Sequence, residues 1–93
     1  MPKYFPFKIS GYYLYFTSHC YLECMHAHAS DEELTEGGSA KFFVKSDGSS
    51  VVANRGRLKE HEIKAIQKFI SNNYEAMYAT WRMVSAKGYY EGN

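Results

Sequence analysis

The apolar residues of this chain change period at Leu58. Before it they fall in short runs dense in aromatic and β-branched side chains. From Leu58 onward, Leu58, Ile63, Ile66, Phe69 and Ile70 gather on one side of a helix drawn at 100° per residue. Strands first and helices last in a single chain point to α+β, with an antiparallel sheet whose face the helical part covers.

Residues 4–9 and 12–17 flank Ser10 and Gly11, which read as a turn, so the chain is expected to open with a hairpin. Its second arm, "YYLYFT", is apolar at nearly every position and is expected to be covered on both faces. A third strand is predicted over Glu23 to Ala29. A fourth, "AKFFVKS", leads through Asp47 and Gly48 into a fifth, "SVVAN". Between the third and fourth, "SDEELTEGGSA" reads as an acidic, flexible solvent loop at residues 30–39. Asn72, followed three positions later by Glu75, resembles a capping box and predicts a second helix. On that helix Tyr74, Met77, Tyr78, Trp81 and Val84 share a stripe, with Gly88 as its stop. The expectation is a mostly antiparallel sheet of about five strands packed by two C-terminal helices. Ninety-three residues suit one domain, 1–93, with a single core.

Eleven Lys and Arg against ten Asp and Glu leave a net charge of +1, too little to impose a nucleic-acid or membrane partner by field alone. The opening "MPKYFPFKIS" has no signal-peptide pattern, and "YYLYF" is too short to span a bilayer, so a cytoplasmic protein with no membrane partner is expected. In a reducing compartment Cys20 and Cys24 are thiols or ligands rather than a structural disulfide.

The stretch "HCYLECMHAHAS" carries the densest chemistry. On a strand, Cys24, His26 and His28 share one face while Met25, Ala27 and Ala29 share the other. The small apolar set suits a packed face, which leaves Cys24, His26 and His28 to a more open face, a groove, or a position under the acidic loop. Side chains two apart are separated by roughly 6.5–7 Å and can close on one ion, whereas Cys24 and His28 are about 13 Å apart. A zinc site would therefore use His26 and His28, completed by His19 or Cys20. The competing reading is an ordinary strand, with hydrogen-bonded histidines and cysteines serving as small hydrophobes. On the first predicted helix Arg57, His61, Lys64 and Lys68 fall on the side opposite the apolar one, a basic row that could meet phosphates or an acidic partner. The chain contains no phosphate loop, nucleophile elbow or helical zinc-protease motif, which disfavours the familiar catalytic classes without deciding for or against an enzyme.

"YYLYFTSH", then "HAHA", then "LKEHEIKAIQKFISNNYEAMYATWR" resemble a small bacterial family, the domain of unknown function four-one-six-zero, over residues 4–87. His19 corresponds to the family's first histidine, His26 and His28 to its His-x-His pair, and Trp81 to its late tryptophan. Thr17 and Ser18 stand where the family has Asn and an acidic residue, and no proline lies between His19 and His26. Family members are often encoded beside a second small protein, in arrangements that look like toxin and antitoxin pairs. The resemblance therefore implies a protein-binding module whose partner is a cognate small protein or a second copy. The alternatives are a nucleic-acid-binding or ribonuclease-like protein using the basic row and the histidines, and a divalent-metal-binding domain.

Overall fold

A computed structural model describes residues 3–16, 23–31 and 39–91. Four strands, β1 (Tyr13–Tyr15), β2 (His26–Ser30), β3 (Ala40–Val44) and β4 (Ser50–Asn54), precede one helix, α1 (Glu60–Arg82). The strands lie in sequence order and every neighbouring pair is antiparallel, which makes an α+β meander with a helix on one face. Among the described residues the sheet has four strands rather than five, and one helix stands where two are predicted.

The missing strand is residues 4–9. Ser10 and Gly11 do form the predicted turn: both have positive φ, 52° and 89°, and Ile9 and Tyr12 exchange backbone hydrogen bonds of 2.7 and 3.0 Å across it. Beyond that rung the arm pairs through the isolated bridge from Lys3 to Tyr15 and the Tyr4 N–H donating to the Leu14 carbonyl, and it forms no strand among the described residues. Pro6, which has no N–H to give a ladder, sits between them.

The two helices fuse because the buried stripe stays in register across Ser71, Asn72 and Asn73. Ile63, Ile66, Ile70, Met77 and Trp81 are all buried, so burial continues where the capping box would have broken the helix. Asn73 donates its side-chain amide to the Phe69 carbonyl four residues back, at 2.8 Å, and caps nothing. Val84 leaves the predicted stripe, lying beyond the helix and exposed. The true start is at Lys59, whose N–H donates to Glu62 Oε1 at 2.8 Å. Leu58 and Ile63 occupy the flanking staple positions and both join the core. Tyr12 donates its hydroxyl to the same Glu62 oxygen, tying β1's approach to the first helical turn.

The core lies between α1 and the sheet face made by Leu14, Ala27, Ala29, Ala40, Phe42 and Val44. Three alanines in that face leave room for the large side chains of the helix, Ile66, Ile70, Met77 and Trp81, which are completely buried. After α1 the chain turns back along the sheet. The Met25 N–H donates to the Gly88 carbonyl, and the Tyr90 N–H to the Val44 carbonyl. Tyr89 and Tyr90 then alternate as strand residues do: Tyr89 stacks on Tyr78 of the helix at 3.9 Å, and Tyr90 on Phe43 of β3 at 4.4 Å.

Candidate functional site

His26 and His28 sit near the middle of the sheet, and of the placements their alternation allows, the open face is not the one they take; residues 32–38 of the acidic loop lie outside the described residues. His26 is 0% and His28 3% exposed. The register pairs His26 with Phe43, and His28 with Lys41 on one side and Tyr15 on the other. Aromatic rings account for the difference. Tyr15 lies 5.6 Å from the His28 ring, Phe43 and Trp81 lie 5.8 and 5.5 Å from His26, and the two imidazoles meet edge to face at 5.1 Å. Tyr15 and Phe43 flank the imidazoles on the same face and Trp81 reaches His26 from the helix, and β2 is buried on both sides.

Hydrogen bonds fix both rings. His26 Nδ1 lies 2.8 Å from the Cys24 carbonyl, which can only accept, so the proton is on Nδ1 and Nε2 faces the Glu23 carboxylate at 3.9 Å. His28 Nδ1 shares a 3.2 Å hydrogen bond with the Ser39 hydroxyl. Tyr4 donates its hydroxyl to the His26 carbonyl at 2.7 Å, so the N-terminal arm also holds this residue. Above the pair, Lys41 Nζ donates to both Glu23 oxygens at 2.8 and 3.0 Å.

That lysine, by hydrogen bond and charge, holds the Glu23 carboxyl below its ordinary value of 4.5. A depressed folded value means stability present above the unfolded pKa and lost as pH falls through the folded one. Glu23→Gln is therefore expected to cost under about 1 kcal/mol at neutral pH, since the pair is part-exposed. Urea midpoints of variant and wild type should converge below pH 4.5; a gap that persists unchanged into acid would contradict this.

Cys24 lies just before β2 with a half-buried thiol. Burial pushes that thiol above its ordinary pKa, so the thiolate needed of a nucleophile or a metal ligand is disfavoured. Of the predicted zinc ligands, His26 and His28 come together, whereas His19 and Cys20 lie outside the described residues. Among the described residues no group of three or more His, Cys, Asp or Glu side chains is arranged to hold an ion.

The basic row is only partly helical. His61, Lys64 and Lys68 are exposed along the outward side of α1, while Arg57 lies in the turn before the helix, because α1 begins at Glu60. Gly56, at φ 57°, turns the chain there. Acid dilutes the row: Glu60 shares the first turn and takes Arg55 at 2.8 Å.

Sequence reasoning missed the tyrosine tail and the Glu23–Lys41 bridge over the histidines. Adjacent tyrosines after Gly88 were the available signal for the tail; nothing in the spacing of Glu23 and Lys41 announces the bridge. It also missed what the surface exposes. Met83 is 84%, Phe7 50% and Val84 46% exposed. No helix among the described residues is long and apolar enough to cross a membrane.

An antiparallel meander under one long helix, with a His-x-His pair enclosed at its centre, defines a small α+β protein of a particular build. The chain belongs to the family described as Domain of unknown function (DUF4160), whose model matches residues 11–82, from the first turn to the last residue of α1. Neither a curated protein nor a solved structure matches the chain.

Proposed function

We propose that this protein is a binding module for another small protein, and that its histidine pair serves the fold rather than a reaction. One observation carries the reading: the side chains with chemistry, His26 and His28, are enclosed by aromatic rings, while large apolar side chains stand in solvent at Met83 and Val84. Neighbouring exposed apolar side chains at the end of a helix offer a partner contact area that a buried imidazole does not. The family resemblance points to the product of an adjacent gene as that partner, in a toxin and antitoxin type of arrangement. Co-expression of the two followed by size-exclusion chromatography is expected to give one co-eluting species. Separate elution of every neighbouring gene product would remove the proposal.

Nucleic-acid binding is the second reading, favoured by the joint exposure of His61, Lys64 and Lys68 on one side of α1. It requires binding of a single-stranded oligonucleotide at low salt with a steep salt dependence. Fluorescence anisotropy that stays flat at low salt would dispose of it.

A further inference from the structure

The outward side of α1 has a pattern that packing against the sheet does not explain. His61, Ala65, Lys68, Asn72, Glu75 and Ala79 succeed one another at intervals of four and three residues, and all six are exposed. That spacing places the six side chains on one line along the helix. The order of charges along it is self-complementary. Reading outward from Asn72, Lys68 lies toward one end and Glu75 toward the other, with Ala65 and Ala79 beyond them.

We propose that α1 pairs antiparallel with α1 of a second copy of this chain, around a two-fold axis at Asn72. The inference rests on the protein-binding reading and adds a second copy of this chain to the adjacent gene's product as a contact of the same helix. In that arrangement Lys68 of each copy faces Glu75 of the other, twice by symmetry, and the two Asn72 amides meet on the axis. Ala65 faces Ala79, where short side chains let the backbones approach. Met83, the most exposed large apolar side chain among the described residues, comes to the level of His61 and is covered.

Two further observations favour this surface. Lys68 and Glu75 are seven residues apart, about 10 Å along the axis, too far to pair within one helix. Among the described residues neither enters an ion pair, whereas Glu23 and Glu60 are taken by Lys41 and Arg55. A second route to a two-fold dimer, the outer edge of β4, is blunted. Its register steps between Lys41↔Asn54 and Phe42↔Val52, leaving Ala53 without a partner, and the Ser50 carbonyl already accepts from the Gln67 side chain at 3.1 Å.

The test is sedimentation velocity on the purified full chain over a wide concentration range. A reversible dimer is expected, weakening as salt rises. Lys68→Glu and Glu75→Lys, each placing like charges opposite one another at two symmetric points, should each weaken it about tenfold or more. An equimolar mixture of the two variants should recover the dimer, because each supplies the charge the other lacks; the double variant Lys68→Glu, Glu75→Lys should recover it alone. Recovery on mixing cannot come from a folding defect or from phosphate binding. A monomer at every concentration, a dimer indifferent to both reversals, or a mixture no better than its components would overturn the proposal. Co-elution with a neighbouring gene product in any of those cases would leave the broader binding function standing.

Discussion

Replacing Trp81 with alanine is expected to remove about 3–5 kcal/mol of stability, a large part of the margin of a chain this size. Trp81 lies in the last turn of α1 and is completely buried. It meets Phe16 edge to face at 5.9 Å and His26 at 5.5 Å, so the cavity left by alanine opens between the helix, β1's end and the histidine pair. Its indole N–H also donates to the Lys87 carbonyl at 2.8 Å, directly before the segment that carries Tyr89 and Tyr90 onto the fold. Trp81→Phe keeps most of the volume and loses that bond, and should cost about 1 kcal/mol from the bond with a smaller packing term. Urea denaturation separates the two variants. Equal midpoints for Trp81→Ala and wild type would mean that the tail and helix end are not anchored here.

The second large effect is expected at a glycine that carries no chemistry. Gly56 has φ 57°, a conformation that costs a residue with a Cβ roughly 1–2 kcal/mol. A Cβ there would also sit 2.7 Å from the Ala40 nitrogen and 2.9 Å from the Ser39 carbonyl carbon, backbone atoms that cannot turn aside. Moving them would shift the start of β3 and the Ser39 hydroxyl bonded to His28. Gly11 serves as the control: its φ is 89°, yet nothing lies within 4 Å of its added Cβ. Gly11→Ala should therefore cost only about 1 kcal/mol, the conformational penalty alone, while Gly56→Ala should cost several-fold more. Similar denaturation midpoints for the two variants would contradict the crowding at Gly56.

The same residues explain which parts of the structure were legible in the sequence. β4 is where "SVVAN" places it, and the Asp47–Gly48 turn forms as expected, because Asp47 Oδ1 accepts from the Ser49 N–H at 2.9 Å and Gly48 has φ 91°. These are local signals with local causes. The helix break at Asn72 failed because a cap is worth about 1 kcal/mol, less than continuing a stripe that buries Ile70, Met77 and Trp81. The histidines were placed on the correct strand and on a common face, but that face was judged by its own alternation. Rings distant in sequence pack against it: the register brings Tyr15 to His28 and Phe43 to His26, and the end of α1 brings Trp81 to His26. Alternation tells which side chains share a face; it does not tell what covers that face.

The central claim, that the surface and not the histidine pair carries the function, is tested most directly by comparing two double variants in complex with the co-purified partner. Met83→Asp, Val84→Asp alters exposed side chains only and should leave the denaturation midpoint within about 0.5 kcal/mol of wild type. His26→Gln, His28→Gln alters the enclosed pair. Titration calorimetry should show affinity reduced at least about tenfold for the first variant and little changed for the folded fraction of the second. The reverse pattern, full affinity with aspartates at the helix end and none without the imidazoles, would contradict the account.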